Sequence, residues 1–338
     1  MKTDLTDTNA SEVAAALVRA RRAVGSPAMG MVLTLVVVTD DAHSYDAMRA
    51  AAAISSEHPA RVLGVIRRSG RGAAGLDAQV RIGNGSGEAV LLRLRGELTQ
   101  HAESVVLPLL LPDSPVVVWW PGEAPDDAAA DPLGAIAQRR LTDAAAGRSK
   151  SRSLLTAARS YTAGDTDLAW TRLTPWRALL AAALDQTDAP VTGGSITAER
   201  GNPSATLMRA WLESRLGVDI ALKTSGGPGL TDVRLTTARG DVALVRPDGT
   251  SATFVLPGEA DRPVALHRRS LPELLAEDLR RLDEDDIYAA TVRHLAAQES
   301  ARTRPRPSTK KKTAAEKHTA SPKPQASKEP AASKENRA

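Results

Sequence analysis

The sequence predicts two α/β domains with mixed sheets, the second α/β or α+β, followed by a disordered basic C-terminal tail. Three observations carry this. Near-continuous Val/Leu runs such as MVLTLVVVTD (Met31 to Asp40) suit strands buried on both faces. They alternate with Ala-rich stretches at helical spacing, the order of parallel βαβ units. Beyond Ser300 the chain turns to Lys, Pro, Ala and Ser without one large apolar residue, too little to offset the entropy of ordering.

In chain order, Asn9 with Glu12 three residues on has a capping-box pattern, and the apolar stretch to Val24 stops at Gly25, giving a first helix. The Met31 to Asp40 strand is followed by a helix from Ser44 to Glu57 and the strand ARVLGVI. LDAQVRIG and EAVLLRLRG read as strands joined at Asn84-Gly85-Ser86-Gly87; a helix from Glu97 to Leu110 then leads into PVVVWW. This first domain takes residues 1–145.

A small, basic stretch, AAAGRSKSRS, places a linker or basic loop at 146–160, and the second domain at 161–300. Thr174-Pro175 supplies an N-cap and a first-turn proline for a helix with Trp176, Leu179, Leu180, Ala183 and Leu184 on one side. Strand SITAE, helix Ser204 to Leu216, and strands DIALK, DVRLTTAR, DVALVRPDG, SATFVLPG and VALHRR follow, then a closing helix from Leu271 to Ala297. Hairpins are more frequent here, as at Arg239-Gly240.

The net charge of +4 belongs to the tail: residues 301–338 hold 11 Lys/Arg and 3 Asp/Glu, leaving 33 cations against 37 acids, −4, on the first 300. A basic tail without aromatics has no means of base stacking, so a solvated terminus is expected in preference to a nucleic-acid partner. With no Cys, thiol catalysis, disulfides and zinc-thiolate sites are excluded. No apolar run approaches ~18 residues and the start, MKTDLTDTNA, is polar, so no membrane partner and a cytoplasmic location are expected.

No catalytic constellation emerges. Neither GxxxxGK[ST], HExxH nor GxSxG occurs, and the glycine runs at 83–87 and 226–229 precede strands, as turns do. The six histidines are scattered, so no metal or cofactor is expected. Asp126, Asp127 and Asp131 read as a solvated loop, and Asp283-Glu284-Asp285-Asp286 as solvent-exposed residues that interrupt the last helix or cap a second one. Arg139, Arg140 and Asp143, with Arg148, Lys150 and Arg152 beyond, admit two readings. One is a phosphate or acidic-partner site; the other is a helix end neutralised by arginine and followed by a basic loop. Of Asp165 and Asp167, one suits an N-cap and the other a pair with Arg172 or Arg177.

Four of the five tryptophans lie between 119 and 176 in a chain that is 3% aromatic. Trp120 and Trp176 fit core packing, while periodicity leaves Trp119, Trp170 and Trp211 open between the core and a domain seam or partner. The candidate partner-binding set is Trp119, Trp120, Arg139, Arg140, Asp143, Asp165, Asp167, Trp170, Arg172 and Trp176.

WWPG with DPLGAIAQRR, GDTDLAWTRLTPWRALLAAALD, the opening DLTDTNASEVAAALVRAR and the later LMRAWLESRLGV carry a resemblance. From about Asp4 to about Ala297 the chain resembles the glucose-6-phosphate dehydrogenase assembly protein family, OpcA, of actinobacteria and cyanobacteria. The resemblance implies a soluble, non-catalytic partner that binds glucose-6-phosphate dehydrogenase, favours its active oligomer and raises its activity in the oxidative pentose phosphate pathway. Cyanobacterial members are associated with redox control through cysteines, which this chain cannot provide. The competing reading from the residues is a nucleotide- or sugar-phosphate-binding enzyme using the Arg139/Arg140 region.

Overall fold

The valine-rich runs become the middle of a sheet whose strands, in chain order, are β1 (Lys2–Leu5), β2 (Leu33–Thr39), β3 (Ala60–Arg67), β4 (Gly75–Ile82), β5 (Glu88–Arg95), β6 (Val116–Trp119), β7 (Arg139–Thr142) and β8 (Asp165–Asp167). The spatial order is β1-β4-β5-β3-β2-β6-β7-β8. The six strands from β5 to β8 run parallel, and β4 and β1 close one edge antiparallel. This computed structural model describes residues 1–25, 30–68, 72–83 and 87–303, together with 326. The expected turn at 84–86 and nearly all of the expected tail lie outside the described residues.

Period-two alternation sorts the first sheet's two faces. Val36 and Val38 of β2 join the core under helices α1 (Ala10–Val24) and α3 (Ala102–Val106), while Leu33, Leu35 and Val37 join the core under α2 (Ser44–Ala53). Helix α1 starts where the Asn9 side chain accepts the Glu12 N–H at 3.0 Å, and stops at Gly25, whose φ of 66° is open to glycine. The single helix expected from Glu97 to Leu110 is instead a 3-10 turn, the short α3, and a second 3-10 turn at Leu107–Leu109. Pro108, which lacks an N–H, sits in that last turn, and His101 leaves helical angles before α3.

Between β6 and β8 lie a one-turn helix, α4 (Pro132–Ala135), and α5 (Lys150–Arg159). The expected linker at 146–160 is thus largely helix, with Leu154 and Ala158 packed into the core of the second sheet. The one-turn α6 (Leu168–Thr171) and α7 (Thr174–Leu184) come next. Thr174 opens α7 but does not cap it, since no side chain bonds to that end.

The second sheet holds β9 (Val191–Ala198), β10 (Ile220–Thr224), β11 (Leu230–Thr237), β12 (Gly240–Val245), β13 (Ser251–Val255) and β14 (Arg262–Ala265), in the order β10-β9-β11-β12-β13-β14. Only β10 and β9 are parallel, bridged by α8 (Pro203–Leu216); the other pairings are antiparallel. The expected closing helix divides into α9 (Leu271–Leu279) and α10 (Asp286–Thr303), because Asp285 accepts the N–H groups of Ile287 and Tyr288 at 3.0 and 2.9 Å and starts a new helix. The two go separate ways. Leu274, Leu275 and Leu279 of α9 return to the first sheet beside Trp119, while Tyr288, Val292 and Leu295 of α10 pack under the second. Both sheets belong to one compact unit, residues 1–302.

Candidate functional site

In an open parallel sheet, ligands settle beyond the carboxyl ends of the strands, where the strand order reverses. Here the reversal lies between β2 and β6. The turn after β2 is Asp40-Asp41-Ala42-His43, with carboxylates where a phosphate loop would carry glycines. The His43 backbone N–H holds the Asp40 carboxyl below its ordinary range, and Arg68, donating at 2.6 Å, does the same for Asp41. This turn therefore lacks the glycine backbone N–H groups with which a phosphate loop cradles a pyrophosphate.

The cleft opens further along, past the ends of β6, β7 and β8. It encloses about 400 Å³ between the Gly122–Ala128 loop, the end of β7 from Thr142 to Ala144, helix α5 and Tyr288. Asp167 forms its floor and is fully buried, accepting Thr142 Oγ1 at 2.6 Å, the Ala144 N–H at 2.9 Å and the Ala169 N–H at 2.8 Å. Burial, then the neighbouring charge of Asp143, pushes the Asp167 carboxyl up. Burial likewise pushes Tyr288 well above its ordinary value.

Arg139 and Arg140 sit side by side on β7 and point to opposite sides of the sheet. Arg139 donates to Asp278 Oδ1 of α9 from Nε at 3.1 Å and Nη2 at 2.7 Å, and to the Asp283 carbonyl at 2.8 Å. Arg140 pairs with Asp165 and donates to the carbonyls of Ala137, at 2.9 Å, and Ala163. Both guanidinium groups are buried and engaged, so neither stands ready for a phosphate. The alternative of a neutralised helix end also fails, because these arginines lie in a strand whose backbone continues the sheet.

Asp143 and Arg172 form a two-pronged pair at 2.8 and 2.7 Å. The expectation for Asp165 is therefore corrected: its cation is Arg140, while Asp167 caps α6. Asp131 is not solvated either; it caps α4 and takes both arms of Arg67 at 3.0 and 3.1 Å. The acidic run at 283–286 is likewise used within the fold. Asp285 Oδ2 receives the Trp170 indole N–H and Glu284 Oε1 receives the Tyr161 hydroxyl, each at 2.8 Å.

Trp119, Trp120, Trp170 and Trp176 are all buried, and Trp211 is half-buried at the edge of the second core. Trp119 and Trp120 fill opposite faces of the first sheet. The Arg177 guanidinium lies 3.7 Å from the centre of the Trp170 ring, and Arg246 4.8 Å from that of Trp176. The four tryptophan faces are therefore turned inward, while Arg172 at the cleft margin is half-exposed. Sequence reasoning missed Asp278, Tyr288 and Arg246, and it offered Arg177 as a partner for an aspartate where the guanidinium lies instead over Trp170. Each of the three missed residues stands far along the chain from its structural neighbours or inside an apolar pattern, and only Arg246, a cation ending the apolar strand DVALV, left a visible trace.

Two family models match successive stretches of the chain, both described as parts of a "Glucose-6-phosphate dehydrogenase subunit". Residues 51–159 match its N-terminal domain and residues 163–292 its C-terminal domain. The chain belongs to the glucose-6-phosphate dehydrogenase assembly (OpcA) family. In this family member the boundary between the two matches falls between α5 and β8, inside the cleft wall. No curated protein matches the chain. Among solved structures, it is similar to a biliverdin reductase from Synechocystis sp. in complex with biliverdin and NADP+, with 10% identity, 79% of this chain and 98% of that one covered, and a TM-score of 0.40. An NAD-binding oxidoreductase from Klebsiella pneumoniae gives 9% identity, 80% and 97% coverage, and a TM-score of 0.39. At those scores the likeness supports nothing about this chain's chemistry.

Proposed function

We propose that this chain is a non-catalytic assembly factor that binds glucose-6-phosphate dehydrogenase and acts as its allosteric activator in the cytoplasm. The observation that carries the reading is the pair of family matches spanning both sheets. The site chemistry agrees: Arg139 and Arg140 are occupied by Asp278 and Asp165, and Asp40 and Asp41 stand where a phosphate loop would be. The mechanism is linkage. A protein that binds the active oligomer better than the dissociated form shifts the population by no more than its differential affinity, and a contact of ~1,600 Å² in total suffices.

Mixing the purified chain with the cognate dehydrogenase is expected to give a complex by light scattering and to raise activity most when the enzyme is dilute or cofactor is below saturation. The chain alone reduces no nicotinamide cofactor. NADPH formation that survives repurification from traces of dehydrogenase would sink this reading, as would an identical fold-change at every enzyme concentration without a complex.

A second measurement separates the body from the tail. Removing residues 304–338 takes away ten Lys/Arg and three Asp/Glu, a net +7, and turns the chain from +4 to −3. Binding and activation at physiological salt are expected to change little, because the family matches end at residue 292. Loss of binding on truncation would make the tail an interaction element.

A further inference from the structure

A second cleft, of about 280 Å³, lies on the other side of Asp143 from the first, between α7, the start of α8, the Gly229–Leu230 strand end and the His267–Arg269 segment. Five Lys/Arg line it against two carboxylates, Asp143 and Glu199. Those carboxylates are already taken. Asp143 holds both arms of Arg172 at 2.8 and 2.7 Å, and Glu199 faces Lys150 at 3.5 Å and accepts the Gly229 N–H at 3.2 Å. Arg269 pairs with Glu277 from outside the cleft. Arg246 and Arg268 are left, with no ion pair among the described residues.

Arg246 is the unusual member, because it is only 5% exposed. A buried guanidinium without a counter-ion is costly. Its Nη1 and Nη2 donate to the carbonyls of Leu266 at 2.9 Å and Leu230 at 3.0 Å, its face lies over Trp176, and its buried Nε has no partner. Burial, then Arg268, pushes its pKa down to about 10, opposed by the fully exposed Asp248. Carbonyl dipoles and a ring face orient the group without neutralising it. Arg268 packs against Gly249, at φ 79°, where a Cβ would come within 3.0 Å of Arg268 Cδ, and its guanidinium carbon lies 4.0 Å from where a Cβ on Gly229 would stand.

We propose that this cleft is a binding site for a phosphomonoester group, with Arg246 as its buried anchor and Arg268 as its rim. Two guanidinium groups without a counter-ion match the two charges of a phosphomonoester, Arg268 through its open fork and Arg246 through its charge and the Nη protons that its two carbonyl bonds leave over. Leu173, Pro175, Trp176 and Leu230 give an apolar wall for a small organic moiety attached to it. The assignment goes beyond the assembly role and does not depend on it.

The test titrates the full chain alone with inorganic phosphate, with glucose 6-phosphate, and with sodium chloride at matched ionic strength, following heat and melting temperature. Saturable binding of a phosphate probe, with no equivalent effect of chloride, is expected. Equal affinity for the two probes means that the site reads the phosphoryl group alone, and tighter glucose 6-phosphate means that the apolar wall contributes. Arg268→Ala, a change at an exposed side chain, is expected to weaken binding at least ~10-fold without altering the melting temperature of the free chain. Arg246→Lys keeps the charge and loses the fork, and should weaken binding similarly if it folds. Absence of saturable phosphate binding, an identical response to chloride, or unchanged affinity in the well-folded Arg268→Ala protein would each overturn the proposal.

Discussion

Replacing Asp278 by alanine is expected to destabilise the fold by ~3–5 kcal/mol, among the largest effects of any single charge removal in this chain. The carboxylate is buried and satisfies three donors: Arg139 Nε at 3.1 Å, Arg139 Nη2 at 2.7 Å and Thr171 Oγ1 at 2.7 Å. Without it, the buried Arg139 guanidinium keeps, among the described residues, the Asp283 carbonyl, at 2.8 Å, and no counter-ion. The loss is not confined to one pair. Asp278 ties α9 to β7 and to α6, so the mutation loosens the helix that covers one face of the first sheet. At the usual entropy of unfolding for a body of this size, the melting temperature should fall roughly 5–8 °C, read by circular dichroism. Thr171→Val removes one neutral donor and should cost only ~1 kcal/mol. A double change, Arg139→Met with Asp278→Leu, should recover much of the loss, because an apolar pair replaces a desolvated ionic one without leaving a charge behind. An Asp278→Ala protein that melts with the wild type would mean that α9 is held by its leucines alone.

The same contact illustrates what a linear reading reaches and where it stops. The apolar run LTLVVVT, the Asn9 start and the stop at Gly25 are local signals, and each produced the element it specified. Strand β8 is the three-residue stretch Asp165-Thr166-Asp167, too short and too acidic for periodicity to announce; it exists because its backbone continues the β7 edge. Asp278 and Arg139 are 139 residues apart, a separation at which charge pairing leaves no pattern in the chain. The tryptophan-rich block was visible as important. Its surroundings were not: the acids that engage Trp170 and Tyr161 come from an α9–α10 junction that reads in isolation as a solvated run. Pattern alone assigns Trp120 and Trp176 to the core, and only the tertiary fold adds Trp119 and Trp170 to the interior.

The second large effect is expected at Trp170. Truncation to alanine removes a buried indole and should cost ~3–5 kcal/mol. Three further contacts go with the ring: its N–H bond to Asp285 at 2.8 Å, the Arg177 guanidinium 3.7 Å from its centre, and the Tyr288 ring at 5.8 Å. Arg177 makes the outcome worse than area alone predicts, because burial already pushes its pKa down to about 10 and it has no ion pair among the described residues. Without the indole beneath it, that cation loses the surface that compensates its desolvation. Trp170→Phe keeps an aromatic ring but deletes the N–H, leaving Asp285 to cap α10 alone, and should lie between wild type and alanine. These variants also separate an interior role from a contact with the dehydrogenase. If Trp170 works through the fold, activation of the dehydrogenase should fall only as the folded fraction falls, and should return at temperatures below the mutant's melting range. A Trp170→Ala protein with unchanged melting and no activation would instead require α10 to move away from α6 on binding, since Tyr288 and Asp285 occupy the ring's approach in the free chain.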